Sequence, residues 1–239
     1  MTRFSDRTLH AWNERSRDSA RVVLPIVCAI CSPRSAIDVG CLFAAWGAEC
    51  RRLGVVDVVG VDGHHVDRRD LLIPFDRFVA HDLRAPLRLE RTFDVALSLE
   101  VAHYLPEERA AGFVADLCAL APLVLFSSAI PHQGGGAHVN EQWPAYWAAH
   151  FRELGYAPVD CVRDEVWDDP RVASWYAQNT LLFVAPDHMP SLRDHRGYGR
   201  APARVHPHVF MTYADGRYHS LRRRASDAVE RMSSLAASP

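Results

Sequence analysis

Short apolar runs alternate with amphipathic segments along most of this chain. The apolar runs have the length and composition of buried strands, and they cover residues 35–40, 56–62, 78–82, 93–99, 122–128, 157–162 and 180–184. Helical periodicity fills gaps between them at residues 44–53, 107–120 and 141–154, the last with large aromatic side chains at helical spacing. Strands that alternate with helices predict an α/β fold, a doubly wound and mostly parallel sheet with helices on both faces.

The composition changes after Pro186, which divides the chain into two predicted regions. Residues 1–186 carry the alternating pattern and a preceding N-terminal helix, and we expect them to form the catalytic domain. Residues 187–239 are rich in Pro, Arg, His and Gly at first and end in an Arg-rich stretch over 221–236. We therefore predict a C-terminal extension that is partly irregular, with a surface helix near its end.

Charge and cysteine usage exclude several classes of protein. The net charge is −2 and all 27 basic residues are arginine, which argues against a nucleic-acid-binding face and excludes lysine chemistry. No segment is long enough to span a membrane. The six cysteines lie mostly in apolar runs, so we expect free thiols and a cytoplasmic protein. His206 and His208 are too weak a pair to predict a metal site, and we expect none.

The most informative segment is a strand, a turn and a helix start between Ser35 and Trp46. This arrangement holds adenosine-bearing cofactors in α/β proteins, and Asp62, at the end of the next strand, lies where ribose hydroxyls are bound. However, Leu42 and Ala44 occupy positions where a glycine pattern is expected. Because a Cβ disfavours positive φ, we expect the turn to take another path or to lose cofactor contact.

Five motifs in order give the chain a family resemblance. They are Asp38-Val-Gly-Cys, Gly60-Val-Asp62, His81-Asp82-Leu83, Phe93-Asp-Val and Ser98-Leu-Glu-Val-Ala. Over residues 19–184 the chain thereby resembles the class I S-adenosylmethionine-dependent methyltransferases, and residues 138–147 and 167–179 look like a bacterial small-molecule subgroup. The resemblance implies a Rossmann-like, seven-stranded sheet, S-adenosylmethionine as co-substrate, a small-molecule partner, and no nucleic acid, membrane or metal. It leaves the oligomeric state open.

The resemblance also implies which residues contact the cofactor. They are Asp38, Gly40, Leu42, Asp62, Gly63, Asp82, Leu83, Glu100 and Val101. Gly40 would let the backbone approach the methionine part, Asp62 would bind both ribose hydroxyls, and Asp82 would accept from the adenine amino group. Two alternatives remain open, since Asp62 could be a solvated turn carboxylate and Asp82 a helix cap.

A glycine-rich segment, Gln133-Gly-Gly-Gly136, leads into a polar and aromatic helix start, a pattern typical of a lid over a small-molecule site. Five residues are predicted to line that pocket: His138, Gln142, Trp143, Tyr146 and Trp175. Asn140, Tyr176 and His103 are the catalytic candidates. Asn140 is also a plausible helix N-cap. The Tyr176 ring could contact a sulfonium, or it could simply pack in the core.

Three functions remain compatible with the sequence. The first is methyl transfer to a small acceptor of the natural-product (secondary-metabolism) type. The second is intramolecular cyclisation of S-adenosylmethionine to azetidine-2-carboxylate with release of methylthioadenosine, for which Asn140 and Tyr176 would contact the amine and the sulfonium. The third is a non-catalytic binding protein. The departures from the family pattern at Leu42, Ala44 and His103-Tyr104 keep the last two alternatives open.

Overall fold

A computed structural model describes residues 6–186, 188 and 190–216 of the chain. One sheet contains β1 Ser35–Val39, β2 Asp57–Asp62, β3 Phe78–Ala80, β4 Val95–Leu99, β5 Leu123–Ser127, β6 Ala157–Val159 and β7 Leu181–Val184. Its seven strands have the order β3-β2-β1-β4-β5-β7-β6. Only β7 runs antiparallel to its neighbours among these strands. The strand order reverses between β1 and β4, and such reversals create a ligand crevice at the carboxyl ends of the strands.

The helices are α1 Asp6–Cys31, α2 Ala45–Arg52, α3 Ala110–Leu120, α4 Pro144–Glu153, α5 Arg163–Val166 and α6 Ser174–Asn179, and residues 207–216 are also helical. Three helices, α2, α3 and α4, lie close to where the periodicity predicts them, whereas the short helices α5 and α6 were not predicted. Two predicted starts were too early. A 3₁₀ turn at Glu107–Arg109 precedes α3. The fourth helix begins only at Pro144, because proline fits the first helical turn, where its missing N–H costs nothing.

Both faces of the sheet are covered, which confirms the doubly wound prediction. Alternate residues of a strand point to opposite faces. In β5, Leu125 packs into a core with residues of α1 and α2, including Trp46. Phe126, the next residue, packs on the other side with Phe113 of α3 and Phe151 of α4. A smaller apolar cluster that includes Phe43 surrounds the turn after β1.

The described part of the C-terminal extension is attached to the edge of the sheet. Tyr198 forms a bridge to Val159 of β6. The fully buried Arg163 donates to both oxygens of Asp160 and to the carbonyl of Pro202. These contacts neither test the domain boundary at residue 186 nor concern the helix predicted over 221–236, which lies outside the described residues.

Among the described residues, no helix has both the length and the apolar character needed to cross a membrane.

Candidate functional site

The turn after β1 follows a left-handed path despite its missing glycines. Gly40 has φ +82°, Leu42 has φ +50° and Ala44 has φ +61°. The expectation that Leu42 would divert the turn was therefore wrong. A left-handed residue with a Cβ costs roughly 1–2 kcal/mol, so the surrounding structure must compensate at two positions. Strain of this kind clusters at functional sites.

Asp62 holds this turn in place from the end of β2. Its Oδ2 accepts the Leu42 N–H at 2.7 Å, and its Oδ1 accepts the Gly63 N–H at 2.6 Å. The imidazole of His65 lies 3.6 Å from the same carboxylate. Burial raises the pKa of Asp62, while the two N–H groups and His65 oppose that rise. Its side chain remains 13% exposed, and a carboxylate offers about four acceptor positions, so Asp62 can still accept from a ligand.

Asp38 caps α2 in this structure, and its predicted contact with the cofactor stays a prediction. It is buried, and its Oδ2 accepts the N–H of Gly47, in the first turn of α2, at 3.0 Å. Ala44, at the N-cap position, has no side chain that could do so. Burial raises the pKa of Asp38 to about 7. Gly40 is required for another reason, because a Cβ there would overlap the methyl groups of Val101.

Glu100 follows β4 in a left-handed conformation, with φ +59°. Its N–H donates to both the carbonyl and the hydroxyl oxygen of Ser127, at 2.9 and 3.0 Å. Its Oε1 accepts from Asn179 Nδ2 at 3.0 Å and its Oε2 from Gln133 Nε2 at 3.1 Å. Burial raises the pKa of Glu100 to about 7, against the opposing effect of these hydrogen bonds. Residues from β4, α6 and the glycine-rich loop thus meet at one carboxylate.

The amides around Glu100 form a network that the sequence analysis missed. Gln133 Oε1 accepts from Gln178 Nε2 at 3.0 Å and from Asn179 Nδ2 at 2.9 Å. Gln178 Oε1 in turn accepts the N–H of His206, in the C-terminal extension. One signal was present in the sequence. Two adjacent amide residues directly before an apolar strand are unusual, since buried amides need partners.

A second missed residue, Glu141, holds the glycine-rich loop in place. Its carboxylate accepts the N–H groups of His132 and Gly134, at 2.8 and 2.9 Å, and it contacts His138 Nδ1 at 2.8 Å. The His138 ring then lies 4.0 Å from the His103 ring, centroid to centroid. The loop therefore packs against His103, which follows β4, and its role as a lid stays a prediction.

His103 supports this loop. It is buried, and its Nδ1 accepts the N–H of Ala129 at 3.0 Å. This contact assigns the ring proton to Nε2, and burial lowers the pKa of His103 well below its usual value. Its carbonyl accepts the N–H groups of Val139 and Asn140. A neutral ring whose acceptor nitrogen is already occupied does not suit a general base, so the structure favours a positioning role.

The remaining predicted lid residues differ in their burial and contacts. Asn140 is buried and does not cap α4, whose N-cap position is Trp143, so the predicted cap was wrong. The Asn140 oxygen accepts from Gln142 Nε2 at 3.0 Å, and its Nδ2 lacks a hydrogen-bond partner. Trp143 is 42% exposed. Tyr146 packs edge-on against Trp147 of the core.

Tyr176 lies in α6, which directly precedes β7. Its ring is 4% exposed and packs edge-on against Trp46 at 5.1 Å, and its hydroxyl lies 2.8 Å from the hydroxyl of Ser16 in α1. Trp175, beside it, is partly buried against the same core. Burial and the nearby Glu100 charge both raise the pKa of Tyr176, to about 12. The structure thus gives Tyr176 a packing role, and contact with a sulfonium stays a prediction.

Asp82 and Leu83 follow β3 and lie in different environments. Asp82 is exposed and accepts from the Arg84 backbone and guanidinium, which lower the pKa of Asp82 to about 2. It closes a turn and does not cap a helix. Leu83 is buried in the core shared with α3 and α4. Adenine recognition by this pair stays a prediction.

Solved structures with the same fold come from several sources. Human N-acetylserotonin methyltransferase, in complex with S-adenosylmethionine, matches 75% of this chain at 14% identity and a TM-score of 0.52. Magnesium protoporphyrin IX methyltransferase from Synechocystis PCC 6803, with bound S-adenosylmethionine, matches 78% at 17% identity and a TM-score of 0.53. The methyltransferase domain of bacterial CtHen1-C matches 71% at 14% identity and a TM-score of 0.53.

The protein has the class I S-adenosylmethionine-dependent methyltransferase fold. The matched region spans only 55% of the human enzyme, but 86% of the Synechocystis enzyme and 98% of the CtHen1-C domain. No protein-family model matches the sequence, and no curated protein is similar to it. Within residues 6–186, 188 and 190–216, no group of three potential ligands is arranged to bind a metal.

Proposed function

We propose that the protein binds S-adenosylmethionine at the carboxyl ends of β1, β2 and β4 and transfers its methyl group to a small-molecule acceptor. The observation that carries this proposal is Asp62, a partly exposed carboxylate at the end of β2 that also fixes the left-handed turn at Gly40. This combination fits a nucleoside, because a ribose offers two hydroxyl donors to a carboxylate. The fold shared with enzymes solved in complex with S-adenosylmethionine supports the choice of nucleoside.

The cofactor supplies an already activated methyl group on its sulfonium, so the protein needs little covalent chemistry. Asp62 accepts from the ribose, and the backbone at Gly63 approaches it. Glu100 and Val101 border the methionine end. The lid formed by the glycine-rich loop and Glu141 excludes water and orients the acceptor. Orientation of the reactants and exclusion of water both accelerate group transfer.

A small acceptor is supported by the names of two compared enzymes, which refer to N-acetylserotonin and magnesium protoporphyrin IX. A lid over the site also suits a small molecule better than a polymer. An acceptor of the natural-product type and a cytoplasmic location belong to the same proposal. The free cysteines of the described chain are consistent with a reducing compartment.

Calorimetric titration with S-adenosylmethionine tests the binding part of the proposal. We expect saturable binding to the wild type and strongly reduced affinity for Asp62→Ala. Asp57→Ala is the matched control, because Asp57 lies at the opposite end of the same strand and pairs with Arg77 and Arg91. Equal affinity of all three proteins would remove Asp62 from the site.

Incubation with S-adenosylmethionine alone then separates the three functions by the nucleoside that forms. An unchanged, bound cofactor supports methyl transfer that awaits its acceptor, and S-adenosylhomocysteine should appear once an acceptor is supplied. Methylthioadenosine without any acceptor would instead support cyclisation. A wild-type protein that binds no cofactor would support a non-catalytic role.

A further inference from the structure

A polar cavity lies where the C-terminal extension packs against α5 and the end of β6. Its volume is about 320 Å³, at the lower end of the range of small-molecule sites. Most of the side chains that line it are charged, and they are Arg196, Arg200, Arg204, Asp160 and Asp164. β6 is the edge strand, and β5 and β7 separate it from β4. The cavity is therefore separate from the crevice of the proposed cofactor site.

The backbone that forms one wall of this cavity is fixed to the edge of the sheet. The Asp160 N–H donates to the Gly197 carbonyl at 3.1 Å, and the Gly199 N–H donates to the Pro158 carbonyl at 2.7 Å. A Cβ at Gly197 would lie 2.4 Å from the carbonyl oxygen of Asp160, so only glycine permits this close approach. The three arginines are therefore carried by a segment that is held in a defined position.

Two of the arginines have guanidinium groups that are already oriented. Arg204 Nη1 donates to Asp164 Oδ1 at 2.6 Å, and the Arg204 guanidinium carbon lies 4.1 Å from the centroid of the Trp167 ring. Arg196 Nη2 donates to the other oxygen, Asp164 Oδ2, at 3.0 Å. A guanidinium has more N–H donors than one such contact uses. Both arginines therefore keep donors that a ligand in the cavity can engage.

The charges around the cavity have an excess of positive sign. Asp160 is neutralised, because the buried Arg163 donates to both of its oxygens. Asp164 is one carboxylate shared by two arginines. Arg200 is exposed and forms no ion pair with any residue that the structure describes. Three arginines against one remaining carboxylate leave two positive charges, although the whole chain has a net charge of −2.

We propose that this cavity binds a phosphate dianion. Two excess positive charges match a phosphate group, which carries nearly two negative charges at neutral pH. Guanidinium groups bind phosphate oxygens through paired N–H donors. The dianion has two possible sources, a small organic phosphate ester and inorganic phosphate. The cavity volume is that of roughly ten water molecules in the liquid, which leaves room for an organic group. The proposal goes beyond the proposed function and does not rest on it.

Calorimetric titration of the full chain in phosphate-free buffer at pH 8 tests this inference. The probes are phenyl phosphate, glycerol 3-phosphate, inorganic phosphate and benzoate. Benzoate keeps an aromatic ring but carries a single negative charge. We expect saturable one-to-one binding of the phosphates and about tenfold weaker binding of benzoate, because a monoanion engages fewer charge-assisted hydrogen bonds. Added NaCl should weaken the phosphates, since it screens exposed charges.

Two variants and a matched control accompany the wild type. Arg200→Gln and Arg196→Gln each remove one positive charge from the cavity. Arg69→Gln removes one from an exposed arginine that is paired with Asp67, after β2 and towards the opposite end of the sheet. We expect each cavity variant to bind phenyl phosphate about tenfold more weakly, the scale of a lost hydrogen bond between charged groups, and the control to bind like the wild type. Thermal melting shows that each variant is folded.

The outcomes also distinguish the two sources of the dianion. Tighter binding of either ester than of inorganic phosphate supports a site for an organic phosphate, and the reverse order supports a site for the free anion. The inference is overturned if no phosphate binds saturably, if benzoate binds as tightly as phenyl phosphate, or if both cavity variants bind like Arg69→Gln. None of these titrations contains a nucleoside, so their failure leaves the proposed function intact.

Discussion

Carboxylates play two different parts in this protein, depending on where they lie. Asp116, in α3, contacts Arg88 and Arg109 and accepts the Leu87 N–H at 2.8 Å. Asp160, at the sheet edge, accepts two bonds from Arg163. Each of these carboxylates has its own cation.

The carboxylates at the carboxyl ends of β1, β2 and β4 are bound differently. Asp38 accepts from a backbone N–H, and Glu100 accepts from two amides. Asp62 accepts from two backbone N–H groups, with His65 as its nearest ionisable neighbour. Neutral donors satisfy hydrogen bonding without cancelling charge. The crevice therefore retains negative potential and raised carboxyl pKa values, properties that mark functional sites, whereas the arginine pairs serve the fold.

The largest effect should follow from breaking an arginine pair. Asp116→Ala leaves Arg109, whose side chain is 9% exposed, without its counter-charge and leaves the Leu87 N–H without an acceptor. We expect a loss of about 3 kcal/mol in the free energy of unfolding, measured by denaturant titration. Cofactor affinity of the folded variant should not change. A loss below about 1 kcal/mol would show that this pair is not structurally important.

Asp62 should give the reverse pattern, a large effect on binding. We expect Asp62→Ala to weaken S-adenosylmethionine binding by about 2–3 kcal/mol, the scale of lost charge-assisted hydrogen bonds. Asp62→Asn should be milder, although its amide must point toward the N–H of either Leu42 or Gly63, since both oxygens are used. Calorimetry on folded variants measures both. If the Asp62 variants lost more free energy of unfolding than free energy of cofactor binding, Asp62 would not differ in role from the arginine-paired carboxylates.

The pH dependence of stability should also separate the two sets. Asp38 and Glu100 have pKa values raised to about 7. The folded state then binds protons more tightly than the unfolded state between pH 4 and 7, so these groups make stability fall as pH rises through that window. The arginine-paired Asp169, with a pKa of about 2, instead loses its contribution as pH falls below about 4.

Glu100→Gln tests this assignment. It should flatten the decline between pH 4 and 7, and its stability relative to the wild type should improve over that range by on the order of 1 kcal/mol. Denaturant unfolding at several pH values measures the difference. An identical pH profile for the variant and the wild type would show that Glu100 is ionised throughout the range.

The sequence predicted the fold far better than the site. Strand and helix periodicity located the secondary structure, because burial on alternate faces leaves a direct pattern of apolar residues. The turn after β1 and the carboxylate of Asp62 were recognisable because each belongs to a short local sequence motif. The partners of Glu100 were not, since Gln133 and Asn179 come from distant segments that only the folded sheet brings together. Core packing likewise decided the position of Tyr176.

The smallest effect should come from Leu42→Gly. From the sequence alone, this substitution would be expected to cause a substantial loss of stability. Leu42→Gly removes a partly buried side chain, worth about 1–2 kcal/mol, and adds unfolded-state entropy worth about 0.5–1 kcal/mol. It also relieves the strain of φ +50°, worth roughly 1–2 kcal/mol. These terms nearly cancel, so we expect a change within about 1 kcal/mol in the free energy of unfolding.

Leu42→Ala separates the opposing terms, because alanine loses the side-chain packing but keeps the strain. We therefore expect Leu42→Ala to be less stable than Leu42→Gly by about 1 kcal/mol, measured by denaturant unfolding of both variants. The opposite order would mean that this turn carries no strain, and that Leu42 contributes to the site only through its contacts. Cofactor affinity provides the second readout. Since Asp62 holds the Leu42 N–H, a glycine that loosens the turn should weaken binding even where stability is unchanged.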